Sequence, residues 1–307
     1  MSVPTNQPPA SPSKAATFRR RLASSVVLWT VVIGALFSGN RLLSDYLFLA
    51  VMMTLAGVGL VEFYGLVEKR GLVCFKEWGV FGGLLLMGST FFYLSETGLG
   101  INQAPAKAGD FETSILVIFV LGLCLRQFTS PSNTAGILAI STTLFGLMYV
   151  PWLLNFIQKI NYFPRINGTG TFYVLYFIMV TKFSDIGAYA VGSLIGRHKM
   201  IPRVSPGKTW EGFGGAVVVS TLASLVFAHF AGARLFGMTL GHAAILGVML
   251  SVAAVIGDLI ESLFKREAGV KDSGGFFPGI GGILDLLDSL LFNAPLMYLY
   301  LRHVLTH

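Results

Sequence analysis

The chain has 307 residues, of which 54% are hydrophobic and 12% charged, with a net charge of +7. A water-soluble domain carries about 25% charged residues, so the composition argues against one. Apolar runs of roughly 20 residues recur along the whole length, the signature of a polytopic helical membrane protein. The basic residues sit mainly in short loops beside apolar segments, so membrane topology and anionic lipids or substrates explain them, and nucleic acid is not an expected partner.

In chain order, the Pro/Ser/Ala-rich opening "MSVPTNQPPASPSKAAT" predicts a disordered tail over 1–21. "FRRR" then precedes an apolar stretch. No small-residue cleavage site follows and many further spans do, which predicts an uncleaved first helix. Nine spans are expected, at 22–39, 45–67, 78–95, 113–128, 134–157, 171–195, 213–232, 241–264 and 283–302. The fold class is therefore all-α and polytopic, with the helices of 22–170 as a scaffold or dimerisation region and 171–307 as the catalytic region. With the N-terminus placed in the cytoplasm, fifteen Lys and Arg fall on the cytoplasmic side and six on the far side, Lys182 lying within a span. This asymmetry supports that orientation. Cys74 and Cys124 have no spacing that suggests a zinc site or a disulfide framework.

Most spans read as free of charge, and the exceptions cluster late. The sixth span holds "VTKFSDIGAYA", with Lys182 and Asp185 on one helix face. The eighth ends in "GDLIESLFKR", where Asp258, Glu261, Ser262 and Lys265 follow at helical spacing, so Asp258, Ser262 and Lys265 can address one site. The ninth opens with "ILDLLDS", placing Asp285 and Asp288 a turn apart. A carboxylate at membrane depth costs at least about 2.5 kcal/mol on insertion scales and persists when paired, metal-bound or lining a polar cavity. Oxygen donors without a His/Cys cluster suit Mg²⁺, which is commonly held by one or two carboxylates plus substrate phosphates.

Between the last two spans, "KDSGGFFPGIGG" is a loop that ends just before a helix whose first N–H groups can face an anion. The basic segment "GRHKMIPRVSPGKTWEG" joins the sixth and seventh spans on the same side of the membrane. Its "PGKT" is not a P-loop, because Pro202 stands where the pattern needs Gly. "GFGGA" beyond it is read as helix packing.

"SLFKREAGVKDSGGFFPGIGGILDLLDS" resembles the signature of the phosphatidate cytidylyltransferases, and "SDIGAYAVGSLIGRHKM" with "SPGKTWEG" is similar to a second block of that family. The detailed resemblance covers about residues 181–289. Two positions depart from the family pattern: Ile280 stands where His is common, and Leu286 where Arg is common. The resemblance implies transfer of CMP from CTP to phosphatidic acid, giving CDP-diacylglycerol and pyrophosphate.

It further implies a catalytic Mg²⁺ on Asp258 and Asp285, a K⁺ nearby, and Asp288 as a third acidic group. Ser262 and Lys265 would contact phosphates; Arg266, Lys271 and Asp272 would shape the loop or hold the nucleotide. Lys208, Ser205 and Arg203 would assist at the CTP phosphates, and Asp185 would support the metal centre. Leu286 removes a fixed cation, which implies weaker phosphate binding unless Arg266 or Arg203 substitutes. A bacterial inner membrane with the site facing the cytoplasm, and a homodimer, complete the expectation. The alternatives are a CTP-dependent polyprenol kinase and a transporter with an intramembrane Asp/Lys relay. The latter predicts charge through the bilayer depth and related halves, and no internal repeat is evident. The D-G-x2-A-R…G-x3-D-x3-D pattern of the CDP-alcohol phosphatidyltransferases is not found.

Overall fold

The structure is a computed structural model that describes residues 14–95, 105–129, 135–163, 169–276 and 281–306, with side chains from residue 26 in the first helix and from residue 109 in the fourth. Residues 1–13 of the expected tail, and Ile280, lie outside the described residues. In chain order come α1 (Lys14–Phe37), α2 (Arg41–Lys69), α3 (Lys76–Leu94), α4 (Pro105–Phe128), α5 (Gly136–Leu147) and α6 (Leu153–Asn161), followed by α7 (Gly170–Ile195), β1 (Lys199–Ile201), β2 (Ser205–Thr209), α8 (Trp210–Ala231), α9 (Leu240–Glu267) and α10 (Ile283–Tyr300). The first helix begins at Lys14, ahead of the expected 22, because Lys, Ala and Arg are good helix formers that extend the apolar span.

Seven helices among the described residues are long and apolar enough to cross a membrane: α2, residues 109–128 of α4, the α5–α6 rod, α7, α8 extended to Arg234, α9, and α10 extended to Leu305. The expected first and third spans also form helices. However, the described apolar part of α1 is Val26–Phe37, and α3 is a 19-residue helix with Lys76 and Glu77 in its first turn. A span needs about 20 predominantly apolar residues. Three helix starts are set by side-chain caps: Asn40 accepts from the Leu43 amide, Thr209 from Gly212 and Thr239 from His242. The α5–α6 rod is interrupted by a π-turn at Met148–Trp152 that contains Pro151. Proline has no N–H to give the preceding turn, and local π geometry absorbs the defect.

The second half packs through small residues. A Cβ on Gly187 of α7 would lie 2.6 Å from the Gly215 carbonyl of α8, and one on Gly215 would lie 2.4 Å from Val191. A Cβ on Gly212 would lie 2.9 Å from the Ala188 carbonyl, so the glycines of "GFGGA" do serve helix packing at 212 and 215. Close backbone approach lets short polar side chains bond across helices. Ser220 of α8 donates to the carbonyls of Val180 and Gly247, and Asn293 of α10 donates to Thr181 at 2.6 Å. Gly187→Val is expected to cost about 1–3 kcal/mol through overpacking, read as a lower unfolding midpoint in detergent. Gly214→Ala is the control, since nothing lies within 4 Å of its added Cβ.

One apolar core joins the halves, running from Leu60 and Tyr64 through Leu154 and Phe177 to Leu250, Leu287 and Met297. In the first half, Tyr64 donates to the Thr143 carbonyl at 2.8 Å, and a buried Lys159–Glu112 ion pair ties α6 to α4. α10 lies against both α6 and α2, so its first turn meets residues from the N-terminal half.

Candidate active site

The polar site forms where α7, β2, α9 and the start of α10 converge. A Cβ on Gly257 would fall 2.6 Å from the Asp288 carbonyl, so its absence lets α9 lie directly on α10. Asp258 and Asp288, each beside that contact, then face one cavity of about 530 Å³. The same wall carries Lys182, Asp185 and Tyr189 from α7, Ser205 and Lys208 from β2, and Asp285 and Leu286 from α10.

The basic loop reaches the cavity because it folds as an antiparallel hairpin, a small departure from the all-helical expectation. The chain turns back at Pro202–Arg203, with the Val204 amide donating to the Ile201 carbonyl. The carboxylate of Glu211, in the first turn of α8, accepts the amides of Arg197 and His198 and clamps the hairpin base. Lys208 is thereby aimed inward: its Nζ lies 2.7 Å from Asp258 Oδ2 and donates to the Val255 carbonyl.

Three lysine–carboxylate groups set the charge balance. The Lys208–Asp258 pair is extended by the Ser262 hydroxyl, 3.4 Å from Asp258 Oδ1. Lys182 pairs with Asp185 at 3.3 Å and donates to the Leu286 carbonyl. Lys265 bridges Asp285 Oδ1, at 2.6 Å, and the fully buried Glu261. The Ser289 hydroxyl lies 2.9 Å from Asp288 Oδ1 and 3.4 Å from Asp185 Oδ1, joining α10 to α7.

The sequence-predicted residues divide into three groups. Asp185, Ser205, Lys208, Asp258, Asp285 and Asp288 line the cavity together. Ser262 and Lys265 stand directly behind it, through Asp258 and Asp285. Arg266 turns away and donates to the carbonyls of Val204 and Val270, tying the end of α9 to the hairpin; Arg203, Lys271 and Asp272 are exposed and do not line the cavity. The cation beside Leu286 is Lys182, and neither Arg266 nor Arg203 substitutes there, because α7 passes beside that residue while the end of α9 and the hairpin turn do not.

Two further expectations change. The amides opening α10 do not await a substrate anion: Gly282 N–H goes to Asp285 Oδ2 at 2.8 Å and Leu284 N–H to Glu62 Oε2 at 2.8 Å. The chain's own buried carboxylates satisfy them first. Nor are the early spans free of charge at the site, because Glu62 of α2 reaches the loop from the N-terminal half. Its signal was visible as a single carboxylate inside "GLVEFYGL", an apolar run that gives it no partner of its own.

The donor set can be tested against a metal ion. Among the described residues no three acidic, His or Cys groups gather into a cage by themselves. Mg²⁺ needs only one or two carboxylates, completing its shell with water and phosphate oxygens; Asp185, Asp258 and Asp288 lie on the cavity wall, as does Asp285, whose oxygens already accept from Lys265, Ser273 and Gly282. The residues fit a hard cation that arrives with a phosphate ligand.

A second cavity, of about 600 Å³, opens beside the first between α1, α2, α7 and α10. Its wall is apolar, from Trp29, Val32 and Leu36 through Met52 to Ile178 and Leu290, except at one end. There it shares Lys182, Asp185 and Leu286 with the polar cavity.

The profile of the cytidylyltransferase family matches residues 19–304. The phosphatidate cytidylyltransferase of Mycobacterium bovis is 38% identical over 205 residues, 64% of each chain, and that of Mycobacterium tuberculosis H37Rv is equally similar over 60% of its own length. The chain thus spans a little under two thirds of these mycobacterial relatives. The phosphatidate cytidylyltransferase of Staphylococcus haemolyticus is 35% identical over 210 residues, 67% of this chain and 77% of that one.

Proposed function

Because the chain belongs to the cytidylyltransferase family, we propose that it is a membrane-embedded phosphatidate cytidylyltransferase. A phosphate oxygen of phosphatidic acid attacks the α-phosphorus of CTP; the bond from that phosphorus to the bridging oxygen breaks, and CDP-diacylglycerol and pyrophosphate result. The observation that carries the proposal is the pair of cavities meeting at Lys182, Asp185 and Leu286. One is lined by four carboxylates and two lysines, which suits a phosphate that arrives with a metal ion; the other suits hydrocarbon. A substrate that is both, with a phosphate head on fatty tails, uses the junction.

The lipid phosphate is already ionised near neutral pH, so the reaction needs charge management more than a general base. Lys208 and Lys182 face the cavity and neutralise phosphate oxygens when these arrive. In their absence Asp258 and Asp185 hold the two ammonium groups in place. Lys265, behind the cavity wall, holds Asp285 and so fixes that carboxylate for the step in which pyrophosphate leaves. Mg²⁺ would be held by Asp258 and Asp285, with Asp288 beside them, and would supply Lewis-acid stabilisation of phosphoryl oxygens; K⁺ nearby is part of the same proposal. Nine spans, a cytoplasmic N-terminus and a site facing the cytoplasm of a bacterial inner membrane complete it, supported by the bias of Lys and Arg toward one side.

Purified protein given labelled CTP, phosphatidic acid and Mg²⁺ is expected to release pyrophosphate and form a CDP-lipid. Release of CDP with a phosphorylated alcohol would replace the reading by a lipid kinase, and no turnover with either acceptor would end it. Leu290→Trp narrows the apolar cavity. It is expected to raise the apparent KM for long-chain phosphatidic acid by about tenfold, the scale of a lost apolar contact, with the KM for CTP unchanged.

A further inference from the structure

Glu62 lies on α2, in the half of the chain read as scaffold, and is 9% exposed. Its Oε2 accepts the Leu284 amide at 2.8 Å and the Ser273 hydroxyl at 3.2 Å. Leu284 belongs to the first turn of α10, so the carboxylate occupies the positive end of that helix. The Ser273 hydroxyl also lies 2.9 Å from Asp285 Oδ2. Its one proton serves two carboxylates, which couples Glu62 to Asp285.

Two glycines of the loop, Gly274 and Gly282, take their reason from the same residue. A Cβ on Gly274 would sit 2.1 Å from Glu62 Oε1 and 2.6 Å from its Cδ, and one on Gly282 would sit 2.4 Å from Oε2. Loop residues before and after the segment 277–280 therefore close around one carboxylate from a distant helix. Asp285 in turn accepts the amides of Ser273 and Gly282, at 3.1 and 2.8 Å, and holds Lys265.

We propose that Glu62 is a positioning residue: the loop residues Ser273, Gly274 and Gly282 are moulded on its carboxylate, and this sets Ser273, Asp285 and, through Asp285, Lys265 in the geometry the reaction uses. The catalytic part rests on the function proposed above, whereas the moulding of the loop does not. In Glu62→Ala the Ser273 and Gly282 amides, which bond to Asp285 and not to Glu62, are expected to exchange with deuterium about tenfold faster, and kcat/KM for CTP is expected to fall about 10- to 100-fold, the scale of a lost hydrogen bond to a charged group. Glu62→Gln keeps an oxygen acceptor and is expected to restore both within about threefold.

Gly274→Ala forces the carboxylate aside without removing it, so it should reproduce the loosened loop even where Glu62→Ala folds poorly. The double variant should be no worse than the worse single one, because both remove the same contact. Unchanged exchange at Ser273 and Gly282 in both single variants, or a loosened loop with unaltered kcat/KM, overturns the proposal, as do fully additive single effects. If the wild-type protein makes no CDP-lipid, the proposed function fails while the exchange experiment still decides whether Glu62 moulds the loop.

Discussion

Lys265→Met is expected to lower CDP-diacylglycerol synthesis to about one thousandth of the wild-type rate, the upper range for loss of a single electrostatic group at a reacting centre, here acting through Asp285. The side chain is 12% exposed and lies between Asp285, at 2.6 Å, and Glu261, which is fully buried. One ammonium thus serves two carboxylates. Removing it strands both, and breaking such a buried arrangement costs about 3–5 kcal/mol of stability, so a lost activity could reflect a lost fold. Lys265→Met with Glu261→Gln separates the two. Asp285 keeps the Gly282 and Ser273 donors, and the neutral Gln no longer needs a counter-charge. The double variant is expected to unfold close to the wild-type midpoint in detergent and remain inactive. If it folds and works within tenfold of the wild type, Lys265 has no part in holding Asp285 for the reaction.

Asp258→Asn is expected to reduce turnover by about 100- to 1,000-fold with little change in stability. The Lys208–Asp258 pair is partly exposed, with Asp258 at 36%, and ion pairs in contact with water contribute about 0–1 kcal/mol. The loss would therefore be chemical. Asp258 lines the cavity with Asp288 and pairs with Lys208, the lysine proposed to meet substrate phosphates. A neutral amide is a poorer ligand for Mg²⁺ and leaves Lys208 without its resting partner. The Mg²⁺ concentration giving half-maximal rate should rise more than about tenfold, the equivalent of one lost charged ligand. A variant with turnover within threefold of the wild type and the same Mg²⁺ response would remove Asp258 from the metal assignment.

The tertiary arrangement explains which parts of this site were readable in advance. Asp258, Ser262 and Lys265 lie on one helix, and Asp285 and Asp288 on another, so helical periodicity places each set on one face. Charge in an apolar run is a strong signal for the same reason that it is costly there. The basic segment 196–212 was legible as basic but not as a hairpin, because its strands are three and five residues long and depend on Glu211 for anchorage. Arg266 illustrates the opposite error. It stands next to Lys265 in sequence, yet neighbouring residues on a helix point in directions about 100° apart, and it bonds to backbone carbonyls away from the cavity.

By itself the sequence determined a polytopic helical membrane protein, the late clustering of its carboxylates and lysines, and a motif dense enough to name a family. These follow from composition and short-range spacing, which a helix converts directly into faces. Only the tertiary structure decided that Lys182 stands at the Leu286 wall, that a hydrocarbon cavity opens beside the polar one, and that Glu62 fills the space left by Gly274 and Gly282. Each depends on contact between helices 100 or more positions apart in the chain. Such contacts are set by packing of small residues across helices, and local periodicity carries no record of them.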